Sequence, residues 1–107
     1  MINIPINTDI SSSLKQRIEL DGILFNLKIY WNTMNDAWFM DIYQNDTLVF
    51  AGLKLVKEIR LLNEYAIEEI PGDFILYDTE NLTDGLRVDF DNLGTRYLLI
   101  YLTEDEL

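Results

Sequence analysis

Apolar and polar residues alternate with period two over most of the first half of the chain. Between Leu14 and Leu20, Leu14, Ile18 and Leu20 share one parity, and Lys15, Arg17 and Glu19 take the other. Alternation of this kind places successive side chains on opposite faces of a strand. Asp21-Gly22 follows, a strong type I′ hairpin signal in which Gly22 is the structural turn residue. From Ile23 to Trp31 the alternation resumes, with Ile23, Phe25, Leu27, Ile29 and Trp31 against Leu24, Asn26, Lys28 and Tyr30. Residues 14–31 therefore predict a hairpin with one buried face. Asn32 to Asp36 forms a polar turn, and in the next run Trp38, Met40 and Ile42 oppose Phe39, Asp41 and Tyr43. Gln44-Asn45-Asp46 turns the chain again into a β-rich run from Thr47 to Leu55. Gly52 inside that run marks a bulge or a close backbone approach. Together these segments predict an antiparallel meander.

The period then changes. Val56, Ile59, Leu62 and Tyr65 or Ala66 recur at three-residue spacing, which predicts a short helix around residues 56–66. Pro71-Gly72 reads as a turn, and Phe74 to Thr79 as a strand with Phe74, Leu76 and Asp78 on one side. Residues 80–94 are polar and turn-rich. Tyr97 to Leu102 is a continuous apolar run, the pattern of a strand buried on both faces and central in its sheet or barrel. The expected fold class is all-β and mostly antiparallel, a small barrel or a strongly twisted sheet, with the one short helix. With no repeat or linker, residues 1–107 read as a single domain, residues 1–12 forming an N-terminal arm and 103–107 an acidic tail.

Composition adds exclusions. The 107 residues include 19 acidic and 8 basic side chains and neither cysteine nor histidine, for a formal charge of −11. Disulfides, thiolate and imidazole metal ligands, cysteine nucleophiles and Ser-His-Asp chemistry are thereby absent. Residues 1–60 are nearly neutral, with six basic residues against seven acidic; residues 61–107 hold only Arg87 and Arg96 against twelve acids. The second half is either solvated surface with an acidic tail, or one acidic face that meets a basic partner or repels other copies. It is expected to face outward, and the first half to hold most of the core. A surface this negative disfavours nucleic acid and anionic membranes. No signal peptide is expected from the first thirteen residues, and no apolar run approaches a membrane span.

The search for chemistry yields little. Asp89 and Asp91 share a strand side as a glycosidase pair would, but chance pairing is common among 19 acids. The stretch Asp89-Phe90-Asp91-Asn92-Leu93-Gly94 has acids at the first and third positions of a calcium loop. Leu93 at the fifth and Ile100 at the twelfth fail that template. No phosphate-binding glycine motif occurs. Seven of the thirteen aromatic residues lie between Phe25 and Phe50, and most fit the inward face of the meander. Tyr30, Phe39 and Tyr43 have the opposite parity, so they cover a second core layer or mark an interaction surface. No catalytic, cofactor or metal residues are assigned.

Several stretches together resemble a known family. They are Ile4-Pro5-Ile6, the Asp21-Gly22 hairpin, a strand ending in Trp31, and Trp38-Phe39-Met40-Asp41-Ile42-Tyr43. Ala51-Gly52-Leu53-Lys54-Leu55-Val56 and Leu61-Leu62-Asn63-Glu64-Tyr65 follow, then Asp91-Asn92-Leu93-Gly94-Thr95-Arg96-Tyr97 leading into Leu98-Leu99-Ile100-Tyr101. In order and spacing, over roughly residues 4–102, they are similar to the small baseplate plug proteins of contractile-tailed bacteriophages. This chain departs from that pattern at Ile70-Pro71-Gly72-Asp73, where the family often has a Gly-rich turn. The resemblance implies a non-enzymatic virion component in the tail baseplate, made in the host cytoplasm, that contacts hub or spike-side proteins or associates with itself. It implies no cofactor.

Physical roles attach to two further positions. Gly94 supplies a positive-φ turn before the last strand. Arg96 either pairs with Asp89 or Asp91 or contacts a neighbouring subunit. Tyr30, Phe39, Tyr43 and Arg96 are thus the candidate interface. Two other function classes remain in view: an acidic phage-encoded inhibitor that mimics DNA, which needs carboxylates spaced along one elongated face, and a ligand-binding module built on exposed aromatics.

Overall fold

A computed structural model describes residues 1–6, 13–56, 60–63, 65, 67–79, 93–94 and 97–107. Among the described residues seven strands run in chain order: β1 (Ile2–Asn3), β2 (Ser13–Leu20), β3 (Ile23–Asn32), β4 (Ala37–Gln44), β5 (Thr47–Lys54), β6 (Asp73–Asp78) and β7 (Tyr97–Leu102). They form a four-stranded sheet ordered β2-β3-β4-β5 and a three-stranded sheet ordered β1-β7-β6, with every named pair antiparallel. Of the two architectures expected, the twisted sheet fits: among the described residues the sheets do not close into a barrel.

The meander follows from its turns. Asp21 and Gly22 both adopt positive φ, +52° and +75°, the conformation that a two-residue I′ turn requires. That turn fixes the β2–β3 register from Leu20↔Ile23 out to Ser13↔Tyr30. Asp36 and Asn45 take positive φ in the next two turns, a conformation short polar side chains tolerate. On β3 and β4 the predicted inward parity is buried: Phe25, Leu27 and Ile29, then Trp38, Met40 and Ile42. Trp31 and Trp38 face each other in register and meet edge to face, centroids 5.6 Å apart.

Gly52 sits in a bulge. Pairing steps from Met40↔Leu53 to Ile42↔Phe50, so Ala51 and Gly52 together oppose Asp41. Gly52 has φ +73°, which a side chain would strain.

β7 is central, between β1 and β6, and Leu99, Ile100 and Tyr101 are all buried. Its neighbour β1, with Ile4 buried beside it and the Ile4 amide donating to the Leu99 carbonyl at 2.9 Å, gave no alternation from which a strand could be read. The expected helix around residues 56–66 lies partly outside the described residues. Of those described, Leu61 to Asn63 and Tyr65 lie in turns, Val56 and Arg60 in neither helix nor strand, with bonds of Asn63 N to Arg60 O and Tyr65 N to Leu62 O. Of that apolar series Leu62 is buried, with Leu61 beside it, and Tyr65 is exposed. The one helical turn described is a 3₁₀ turn at Glu104–Glu106, in the acidic tail.

A single apolar cluster joins both sheets. Among the described residues, eleven of the 21 buried hydrophobic residues lie in 1–60 and ten in 61–107, so both halves supply the core almost equally where the first was expected to supply most of it. The acids do not all face outward either, since Asp73 and Asp78 are buried and so are withheld from any surface of phosphate-like carboxylates.

Candidate interaction surface

The outward parity of the four-stranded sheet brings three of the four candidate interface residues onto one face. Tyr30 and Phe39 are cross-strand partners and stack, ring centroids 6.1 Å apart at 19°, an arrangement worth a few tenths to about 1 kcal/mol. Tyr43 lies four residues further along β4 on the same face, between Asn26 and Leu48. All three are half-buried, so each ring covers the sheet and still presents an edge to solvent. Arg96 lies outside the described residues, as do Asp89 and Asp91.

Hydrogen bonds lock this face. The Tyr30 hydroxyl donates to Asp41 Oδ1 at 3.1 Å, and the Gly52 amide donates to the same oxygen at 2.8 Å. Asp41 therefore ties an aromatic of β3 to the bulge of β5 across β4. Burial, followed by the bond to Asp41, holds the Tyr30 hydroxyl above the ordinary tyrosine range. Beside the rings runs an open groove of about 700 Å³, lined by Lys15, Arg17, Asn26, Lys28, Tyr43 and Asp46 among others. Lys15 stands directly opposite Lys28 in the β2–β3 register. The Lys28 ammonium lies 5.7 Å from the Tyr30 ring centroid, within cation–π range.

A second polar constellation sits where the two sheets meet. The buried Tyr101 hydroxyl donates to Asp21 Oδ2 at 2.8 Å and accepts from the Gly72 amide at 2.8 Å. Asp21 Oδ2 also accepts from the Glu104 amide at 3.1 Å. The β2–β3 turn, the loop before β6 and the turn after β7 are thus tied through one phenol. Burial raises the Tyr101 hydroxyl far above its ordinary value of 10.0, and the bond to Asp21 adds to the rise. A proton held more tightly in the folded state contributes stability that is complete below about pH 10 and is lost as pH rises through the folded value. Tyr101→Phe is expected to lower stability at pH 7 by about 1–2 kcal/mol, because the Gly72 amide loses its acceptor. It should also flatten the decline between about pH 10 and 11, a slope near 1.4 kcal/mol per pH unit for one proton. Urea midpoints at the two pH values check both effects; equal slopes in wild type and variant would refute the assignment.

Gly22 and Gly94 occupy positive-φ turns. Gly94, at φ +88°, also lies so close to the Ile6 carbonyl that a Cβ would stand 2.7 Å from its oxygen, and its amide donates to Tyr97 O at 2.7 Å. Among the described residues no group of three acidic side chains is placed to hold a metal ion. Among the described residues no helix is long and apolar enough to cross a membrane.

The family model described as cyanophage baseplate Pam3 plug gp18 matches residues 1–104. This chain belongs to that family. No curated protein matches it. The plug-family match spans every strand of both sheets and stops within the acidic 3₁₀ turn. The resemblance seen in the short motifs of the sequence is thus supported across the whole β-framework, and with it the phage, tail and baseplate setting.

Three features of this plug-family chain escaped the sequence reading. Asp73, the Asp21–Tyr101 pair and the cationic groove each join residues distant in sequence. The alternation of Lys15, Arg17 and Lys28 with buried positions signalled that they face outward; only the register shows that they converge.

Proposed function

We propose that this chain is a non-enzymatic structural part of a contractile-tail baseplate, held there by protein–protein contacts with hub or spike-side proteins. The observation that carries the reading is the plug-family match over residues 1–104. It is supported by a two-sheet body that, among the described residues, presents the Tyr30–Phe39 stack and a cationic groove on its outward face. On this reading the protein is made in the host cytoplasm and ends in the virion tail. Its surfaces work by shape and charge and turn over no substrate.

Mass spectrometry of purified tails is expected to detect the chain, and antibody labelling in electron micrographs to mark the baseplate end. Genes for tail proteins are expected beside its own. A chain missing from purified tails, or a gene flanked only by metabolic functions, would sink the proposal.

A further inference from the structure

We infer that the groove across β2, β3 and β4 is a docking site for an extended acidic segment of a neighbouring baseplate protein, a partner whose setting rests on the function proposed above. Its cations are held by no carboxylate among the described residues, Lys28 resting only against the Tyr30 ring. Among the described residues Lys15, Arg17 and Lys28 have no ion pair, and the described ion pairs are those of Arg60 with Asp73 and of the Met1 amino group with Glu106. Lys15 and Lys28 are direct cross-strand neighbours, a like-charge pairing that weakens a sheet. Asp41 is opposite Lys28, but its Oδ1 is already shared by the Tyr30 hydroxyl and the Gly52 amide. Carboxylates supplied from outside would offset the repulsion.

Spacing and shape define the ligand. Lys15 and Arg17 are two residues apart on β2, so their side chains repeat at roughly 7 Å. An extended peptide with acids at alternate positions has the same repeat, and its carboxylates meet a guanidinium and two ammonium groups. Tyr43 gives the groove an apolar wall. Nucleic acid fits less well: stacking bases need free ring faces, while Tyr30 is stacked on Phe39 and approached by Lys28. A second copy of the chain also fits less well. Its acidic tail is tied to its own body, the Glu104 amide on Asp21 and Glu106 on Thr103, and two bodies of charge −11 repel.

The test is fluorescence anisotropy with a labelled peptide alternating glutamate and serine, run beside a labelled oligothymidylate of equal charge. Binding of the peptide should weaken about tenfold in Arg17→Glu and Lys28→Glu, and fall as salt rises. Lys54→Glu makes the same change in net charge outside the groove lining and should leave affinity within about twofold. Both groove variants should keep the wild-type circular dichroism spectrum; in Lys28→Glu the new opposite-charge pairing with Lys15 offsets the repulsion from Asp41 on the other side. Failure of the peptide to bind, equal losses in Lys28→Glu and Lys54→Glu, or oligothymidylate binding as tightly as the peptide overturns the inference. So does salt-sensitive self-association that Lys28→Glu abolishes. Tail preparations separate the two readings: Lys28→Glu protein incorporated like wild type defeats the groove alone, whereas absence of the wild-type chain defeats the baseplate assignment.

Discussion

Asp73→Ala is expected to destabilise the protein by about 3–5 kcal/mol, the largest effect among single polar substitutions here. Asp73 is 1% exposed. Its Oδ1 accepts from the Leu62 amide at 2.8 Å and the Phe74 amide at 2.7 Å, and its Oδ2 from Arg60 Nε at 3.2 Å. Alanine would leave two amides without an acceptor, the Leu62 amide inside the fold, at about 1–3 kcal/mol each. The loop they hold also carries Leu61 and Leu62 into the core. Asp73→Asn keeps the Oδ1 acceptor and gives up only the ionic contact to Arg60, itself partly exposed. Its expected cost is therefore smaller, about 1–2 kcal/mol. Thermal denaturation separates the two, since 3 kcal/mol lowers the midpoint of a chain this size by roughly 10 °C or more. Equal midpoints for the alanine and asparagine variants would show that the amide bonds are not what Asp73 provides.

That aspartate also marks where the sequence stops being legible. The four-strand meander could be read because each piece of information is local: alternation sets the face, and Asp21-Gly22 sets the register. β7 could be read because an unbroken apolar run has few other uses in a chain this short. β1 could not, since two residues carry no period and pair with β7 only through the fold. Asp73 and Asp78 were read as part of an acidic, outward-facing half, because charge counted along a chain cannot tell a solvated carboxylate from one capping buried amides. The cationic groove needed coordinates for a different reason: the Asp21-Gly22 register already pairs Lys15 with Lys28 across thirteen residues, but the convergence of that pair with Tyr43 and Asp46 depends on the three-dimensional sheet. Residue identity gave the outward direction of Tyr30, Phe39 and Tyr43; their mutual stacking and the bond to Asp41 required coordinates.

The charge asymmetry acquires a physical form from these placements. Of the six cations in residues 1–60, Lys15, Arg17 and Lys28 gather on one sheet face, while Arg60 is committed to Asp73. A nearly neutral half thus presents a locally positive surface on a protein that is strongly negative as a whole. Such a field orients an approaching partner and favours encounter through one face.

Gly72→Ala is expected to cost about 3 kcal/mol, at the upper end for overpacking, because the obstruction is backbone. Gly72 does not have positive φ, so conformational freedom is not why glycine stands there. Space is: a Cβ would overlap the Leu102 carbonyl and lie 2.5 Å from the Tyr101 ring carbon that bears the hydroxyl. Leu102 is the last residue of β7, paired with Asp73 of β6. Making room would pry that end of the sheet apart and pull the Gly72 amide from the Tyr101 hydroxyl, which in turn holds Asp21. The sequence showed Pro71-Gly72 as a turn, and the plug-family resemblance marked this stretch as a departure from a Gly-rich pattern. The structure gives the one glycine retained there a reason. In a Tyr101→Phe background the alanine should cost less than it does alone, since the hydroxyl and its bond to the Gly72 amide are gone, but more than nothing, since the Leu102 carbonyl and the ring carbon remain. A double-mutant cycle on thermal midpoints measures that coupling. Strict additivity would mean that the Tyr101 hydroxyl is no part of what excludes a side chain at Gly72.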